Sequence, residues 1–142
     1  MTHSLTTYRP RRCMPALKLI KADLARHGQA RYEEGQGVLR VFPLDDAGFE
    51  VAFYEGERPV VTFGRCRRRF PGEDLALVYF ALALSNAARL EISACGGSEH
   101  RWTFQRRLGE EWIECFTTRR LLVPFWRERR VSYRQNRFIR GD

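Results

Sequence analysis

The side chains of this chain that can do chemistry are concentrated in clusters of arginine. In the stretch "GRCRRRFPGED" (residues 64–74), four arginines fall within five residues and surround one cysteine. A guanidinium group binds a phosphate or a carboxylate through two parallel hydrogen bonds, and it also stacks on aromatic rings. Such a cluster indicates an anion-binding surface, a cysteine activated by positive charge, or a basic corner of the fold.

A second arginine cluster forms the tail. Residues 119–142 carry a net charge of +6, whereas residues 71–118 carry −3. Arginines alternate there with aromatic residues, and binding of nucleic acid without sequence preference needs positive charge for phosphates and rings for bases. The alternative is that the rings belong to the core and the arginines form a solvated rim. The predicted anion- or partner-binding residues of both clusters are Arg65, Arg67, Arg69, Arg127, Arg129, Arg130, Arg134, Arg137, Trp126 and Tyr133.

Composition favours the same class of partner. The 142 residues carry 25 lysines and arginines against 17 acidic residues, a net charge of +8. A protein of this charge attracts nucleic acid or an acidic protein surface. Only Lys18 and Lys21 are lysines, so nearly all the basic residues are arginines. Anion binding is one explanation of this preference for arginine over lysine, and a GC-rich genome, which encodes much arginine and alanine, is another. The tail also contains no RNP-type sequence, no GXXG loop and no helix-turn-helix spacing.

Residue types for metal binding and catalysis occur, but their spacing is wrong. Four cysteines and three histidines include no Cys-x-x-Cys or His-x-x-x-His pair, and a zinc site needs three or four converging ligands. Strand alternation places Cys66 opposite Arg65 and Arg67 and predicts burial, and a buried thiol is inert. Residues 98–100 read Ser-Glu-His, but three neighbours cannot align on one proton path. We therefore expect no catalytic residues, no metal and no cofactor.

The cysteines and the apolar runs predict a cytoplasmic protein. The N-terminus has no apolar segment typical of a secretory signal, which favours reduced thiols over disulfides. The longest apolar run, residues 75–84, is ten residues long, whereas about 20 residues are needed to span a bilayer. We expect no membrane partner.

Two helices are predicted. Residues 15–27 form an amphipathic helix, because proline opens the segment, glycine follows it, and apolar residues recur at spacings of three and four. Residues 1–13 are predicted to be a flexible segment. Residues 73–88 form a second helix that is apolar on nearly all sides and must be covered on more than one of them.

The remaining periodicity predicts strands in two groups. Alternation and turn residues indicate one antiparallel meander before the second helix and another after it. The conformation of residues 119–142 stays open. We predict a single α+β domain over residues 1–142, in which a mainly antiparallel, curved sheet of six to seven strands packs with one amphipathic and one buried apolar helix. The predicted strands are 38–42, 49–55, 59–69, 90–95, 100–108 and 111–118.

The stretch after Gly64 needs a break in the third strand. Unbroken alternation would bury alternate arginines, which costs too much without partners. A β-bulge at Gly64 shifts the register by one residue, so that Cys66 and Phe70 face the core and alternate arginines face water. Arg68 then lies on the core side and must reach the rim or pair with a carboxylate.

We therefore predict a non-catalytic binding protein whose arginine-rich surface takes an anionic partner, either nucleic acid or an acidic protein. One alternative is a small-molecule-binding or enzymatic domain that uses a cavity between the curved sheet and the buried helix, with Tyr79 or Glu114 pointing into it. Another alternative is a homo-oligomeric interaction subunit, most simply a homodimer whose second copy covers the apolar helix.

Overall fold

The computed structural model describes residues 14–28 and 30–139, and the predicted flexible segment 1–13 lies outside them. Within the described residues, two helices and nine strands follow one another along the chain. They are α1 (Met14–His27), β1 (Arg31–Gly35), β2 (Val38–Phe42), β3 (Val51–Tyr54), β4 (Val60–Phe63), β5 (Cys66–Arg69), α2 (Glu73–Ala83), β6 (Ala88–Cys95), β7 (Ser98–Leu108), β8 (Glu111–Arg119) and β9 (Arg129–Arg134).

The strands of the described chain form two antiparallel sheets. The first sheet has the order β1-β2-β3-β4-β5, and the second has the order β8-β7-β6-β9. The α+β class and the antiparallel pairing are confirmed, but the prediction of one curved sheet of six to seven strands is wrong in detail. Strand β5 lies against β8 without joining its ladder, and side-chain hydrogen bonds link the two, such as that from the Arg67 amide to the Thr118 hydroxyl at 3.3 Å.

A tight turn at Gly64 replaces the predicted bulge. Gly64 has a φ of +63° and opens a two-residue hairpin loop between β4 and β5, a position that favours glycine. A Cβ atom there would also lie 2.8 Å from the Leu90 side chain. The single long strand predicted over 59–69 is therefore a hairpin, because the chain reverses where the alternation breaks.

The side-chain directions predicted after Gly64 are confirmed although the bulge was wrong. Cys66 and Phe70 are buried. Arg68 faces the core side of β5 but remains exposed, and its guanidinium carbon lies 5.0 Å from the centre of the Phe116 ring. The arginine thus reaches the rim and stacks on an aromatic ring there, as snorkelling side chains do.

The two helices cover the core to different extents. Helix α1 buries the apolar face formed by Leu17, Ile20 and Leu24, as predicted. Helix α2 packs against α1, β3, β4 and β6, so the predicted cover on more than one side is confirmed, while Leu75 and Val78 remain exposed. The buried face of α2 consists of Ala76, Leu77, Phe80 and Ala83.

Helix α2 also ends five residues earlier than predicted, at Ala83 instead of residue 88. The Ser85 hydroxyl donates to the carbonyl oxygen of Leu82 at 2.7 Å and accepts from the Ala87 amide at 3.1 Å. Serine side chains compete in this way with backbone hydrogen bonds of a helix. Residues 84–87 form a turn, and the next strand starts at Ala88.

An aromatic cluster joins the two sheets. The rings of Phe63 in β4 and Phe104 in β7 stack with centroids 4.1 Å apart. Phe116 in β8 lies 6.0 Å from Phe63, and the Tyr79 ring of α2 lies 5.0 Å from Phe116. Stacked and tilted ring pairs add stability beyond the area they bury. Tyr79 therefore packs among rings.

Asn136 anchors the tail, whose conformation the sequence left open. Its buried side chain donates to the carbonyl oxygens of Phe49 and Ala83, both at 3.0 Å, and accepts from the Phe49 amide at 3.1 Å. Phe138 is buried in the core beside it. The tail is thereby tied both to the segment before β3 and to the end of α2.

We expect Asn136→Ala to lower the free energy of unfolding by about 3 kcal/mol, because it leaves buried donors and acceptors without partners. Urea denaturation followed by circular dichroism measures the change. The matched control is Arg137→Ala, because Arg137 is the exposed neighbour and its loss should change stability by no more than about 0.5 kcal/mol. Equal effects of the two substitutions would contradict the anchoring role of Asn136.

Candidate anion-binding face

The outer face of the second sheet carries an ordered set of polar and aromatic side chains. Residues directly opposite in an antiparallel ladder share a face. Tyr133, Glu91 and Thr103 lie opposite one another on β9, β6 and β7, and Arg89 lies opposite Gln105. Phe104, one residue further along β7, points the other way into the aromatic cluster. These residues therefore form the face of the second sheet that points away from the core.

Arg89 lies at the centre of this face, in contact with two aromatic rings. Its guanidinium carbon is 4.3 Å from the centre of the Trp112 ring and 4.0 Å from that of Tyr133. Trp112 comes from β8 and Tyr133 from β9, the two edge strands of the sheet, so the rings approach from opposite sides. The Arg89 Nε also donates to Gln105 Oε1 at 2.6 Å. Stacking and this hydrogen bond together fix the guanidinium plane.

Glu91 organises the neighbours of Arg89. Its Oε2 accepts from the Tyr133 hydroxyl at 3.1 Å and from Gln105 Nε2 at 3.5 Å. Its Oε1 accepts from Arg101 Nη2 at 3.4 Å, and its side chain is only 13% exposed. Because these donors surround the carboxylate, it does not pair with Arg89. The two terminal nitrogens of Arg89 have no acceptor within the described ranges.

Further arginines extend the positive charge along the same face. Arg101 and Arg119 lie opposite each other on β7 and β8, and Arg129 lies at the start of β9. Burial, together with the positive charges of Arg129 and Arg101, lowers the pKa of the His100 imidazole. The positive charge of the face therefore comes from arginine.

The predicted tail residues divide between this face and other surfaces. Tyr133 lies on the face because it aligns with Glu91, and Arg129, four positions earlier on β9, lies on the same side of that strand. Arg127 packs across Gly96 at the β6–β7 turn, where a Cβ atom would lie 2.2 Å from the Arg127 side chain. Trp126 is exposed in the connection between β8 and β9.

The other tail arginines lie elsewhere. Arg134 and Arg130 align with Leu90 and Ala94 of β6 and so point to the inner side of the sheet. Arg134 donates to the backbone oxygen of Asp46, and Arg130 lies 3.7 Å from the carboxylate of Glu128. Arg137 is exposed beyond the end of β9.

The arginines of residues 65–69 lie apart from those of the tail. Arg67 and Arg69 align with Thr62 and Val60 on the outer face of the first sheet. Arg65 in the turn places its guanidinium carbon 5.7 Å from the centre of the Trp102 ring. Strand β5 lies beside β8, whereas β9 forms the opposite edge of the second sheet, about 14 Å from β8 at ordinary strand spacing. The two clusters do not form one continuous row.

Sequence reasoning missed Arg89, Trp112, Gln105 and Glu91 as a group. Alternation within the predicted strand 111–118 puts Trp112 and Glu114 on one face, and this pattern is a usable signal for part of the group. Arg89 was hidden because the preceding helix was predicted to reach residue 88, which made Arg89 a junction residue. A strand that starts at Ala88 brings Arg89 into register with Gln105.

The rest of the described chain, in its possible metal ligands and its pockets, offers fewer convergent polar groups than the face around Arg89. Within it, no group of three or more His, Cys, Asp or Glu side chains could hold a metal ion, and neither helix is long and apolar enough to cross a bilayer. A cleft of about 120 Å³ lies between α1 and the first sheet, with Lys21, Glu34 and Glu55 in its lining. An open groove of about 340 Å³ on the outer face of the first sheet is lined by Tyr54, Val60, Thr62 and Arg67.

Comparison of the chain with models of protein families, with curated protein sequences and with solved structures finds no match. The geometry of the chain itself therefore carries the functional argument.

Cys66 is a buried thiol, and burial raises its pKa despite the neighbouring arginines. We expect iodoacetamide to leave Cys66 unmodified in the folded protein at about pH 8, since only the thiolate reacts. Cys115 is less buried and should react faster. Peptide mapping by mass spectrometry measures both sites, with the urea-unfolded protein as the control. Equal labelling of Cys66 before and after unfolding would contradict its burial.

Proposed function

We propose that this chain is a non-catalytic binding protein that takes an anionic partner on the outer face of its second sheet. Arg89 is the central contact. The proposal rests on one observation, the guanidinium group of Arg89 held between Trp112 and Tyr133 with its terminal nitrogens unpaired among the described residues. A carboxylate or a phosphate fits this fork through two parallel hydrogen bonds.

The fixed position of Arg89 is what favours binding. A mobile arginine loses about 2 kcal/mol of side-chain entropy when a ligand immobilises it. Stacking on two rings and the bond to Gln105 already restrict Arg89 in the free protein. Less entropy is therefore lost on binding, and more of the interaction energy appears as affinity.

The charge around Arg89 favours a partner with many negative charges over a single small anion. Arg101, Arg119 and Arg129 extend along the same face, and the net charge of the chain is +8. A field of this kind raises both the association rate and the affinity for a polyanion, and salt weakens it steeply. Nucleic acid and an acidic protein surface share this chemistry.

A second candidate function is self-association through the connection between β8 and β9. Leu121 and Leu122 are 99% and 88% exposed there, and apolar side chains exposed together mark interaction sites. Sedimentation velocity over a range of protein concentrations tests this function. A dimer that Leu122→Ser dissociates would support it.

We expect Arg89→Lys to weaken binding of short inorganic polyphosphate and of polyglutamate at least tenfold, because lysine keeps the charge but loses the fork and the flat stacking surface. Isothermal titration calorimetry at about 50 mM salt measures the change. Arg31→Lys is the matched control, because Arg31 is exposed on β1 of the other sheet, and we expect it to bind both polyanions like the original protein.

Two results would contradict the proposed function. One is undetectable binding of both polyanions at this low salt concentration. The other is equal affinity of the Arg89→Lys and Arg31→Lys variants, which would show that net charge alone accounts for binding.

A further inference from the structure

We infer that the anionic partner is single-stranded nucleic acid, whose bases stack on exposed aromatic rings next to the arginine face. This inference rests on the proposed function of that face. The rings belong to Tyr133 on β9 and to Phe125 and Trp126 in the segment between β8 and β9, residues 120–128, which we call the β8–β9 loop.

The exposure of these rings is the first observation. Phe125 is 81% exposed, Trp126 is 73% exposed and Tyr133 is 50% exposed. Of the tail aromatics, only Phe138 is buried in the core. The alternative, in which the tail rings belong to the core, is therefore true of Phe138. It does not account for the other three rings. Base-stacking platforms need this exposure, because a base covers one face of a ring.

The second observation is that hydrogen bonds hold the β8–β9 loop. At its start, the Arg120 amide donates to the His100 carbonyl at 2.8 Å, and at its end the Gly96 amide donates to the Glu128 carbonyl at 2.8 Å. Within the loop, the Phe125 amide donates to the Val123 carbonyl at 2.8 Å. The rings of Phe125 and Trp126 meet edge to face, 5.5 Å apart. Both are therefore presented in a defined arrangement.

The third observation is the path of charge between the rings. Arg127 lies at the end of the β8–β9 loop and Arg129 at the start of β9. Tyr133 lies four positions after Arg129 in the extended strand, about 13 Å away at 3.3 Å per residue. Arg89 contacts Tyr133 at the far end. Rings at both ends and arginines between them match an extended strand of a few nucleotides, with phosphates on arginines and bases on rings.

Other partners explain less of this surface. An acidic protein uses the arginines but leaves the exposed rings without a role. A second copy of the chain brings like charges together, because five arginines flank the apolar part of the loop. A duplex hides the faces of its bases within the stack. The five flanking arginines are Arg119, Arg120, Arg127, Arg129 and Arg130.

The test compares a thymidine oligomer of about twelve nucleotides with an inorganic polyphosphate of equal charge, which has no bases. The variant is the double substitution Phe125→Ala and Trp126→Ala, which removes exposed rings and leaves the core intact. We expect its affinity for the oligomer to fall at least tenfold, measured by fluorescence anisotropy, while its affinity for polyphosphate stays unchanged. The control is Leu121→Ala with Leu122→Ala, which we expect to bind both probes like the original protein.

Each of the other possible results contradicts a specific part of the inference. Unchanged oligomer binding by the ring variant overturns base stacking but leaves the Arg89 face standing if polyphosphate still binds. If the leucine control loses as much affinity for the oligomer as the ring variant does, the loss comes from altered loop packing, and base stacking is again contradicted. Binding of polyglutamate without binding of the oligomer identifies an acidic protein instead, and tighter binding of a matched duplex overturns the preference for single strands. If no polyanion binds, the proposed function itself fails.

Discussion

The stacked pair of Phe63 and Phe104 is the contact on which the rest of the structure depends. Phe63 ends β4 in the first sheet and Phe104 lies in the middle of β7 in the second, with ring centroids 4.1 Å apart. The turn at Gly64 immediately after Phe63 sends β5 back beside β8. Because the inner faces of both sheets are used in this packing, the group around Arg89 lies on the outer face of the second sheet, away from the core.

That outer face differs from an ordinary charged surface in how its groups are held. Isolated surface ion pairs contribute little to stability, and arginines on them are usually mobile. Here Glu91 accepts hydrogen bonds from Tyr133, Gln105 and Arg101, and its neighbours in turn restrict Arg89. The Glu91–Arg101 pair therefore matters mainly because it helps to position the side chains around Arg89. Side chains that are already restrained lose less entropy on binding a ligand.

The parts of the fold that local patterns determine were predictable from the sequence. Apolar spacing identified the buried face of α1, and alternation placed Cys66 in the core although the turn at Gly64 was misjudged as a bulge. The end of α2 depends on the Ser85 side chain, and the tail depends on Asn136, whose partner Phe49 is 87 residues away in sequence. Single-sequence periodicity contains neither the local side-chain hydrogen bonds of Ser85 nor the long-range contacts of Asn136. The Arg89 site stayed hidden because the second helix was predicted to reach residue 88 and because the rings that contact Arg89 come from strands distant in sequence.

The most direct measurement of the central claim is a nuclear magnetic resonance titration that follows the Arg89 Nε–H and Trp112 indole N–H signals as polyphosphate is added. Since the proposed site is the fork of Arg89 between the two rings, these two signals and the Tyr133 amide should shift first and saturate together. Signals from α1 and β1 should stay in place. Equal, unsaturable shifts at all arginines, or shifts confined to the first sheet, would contradict an anion site at Arg89.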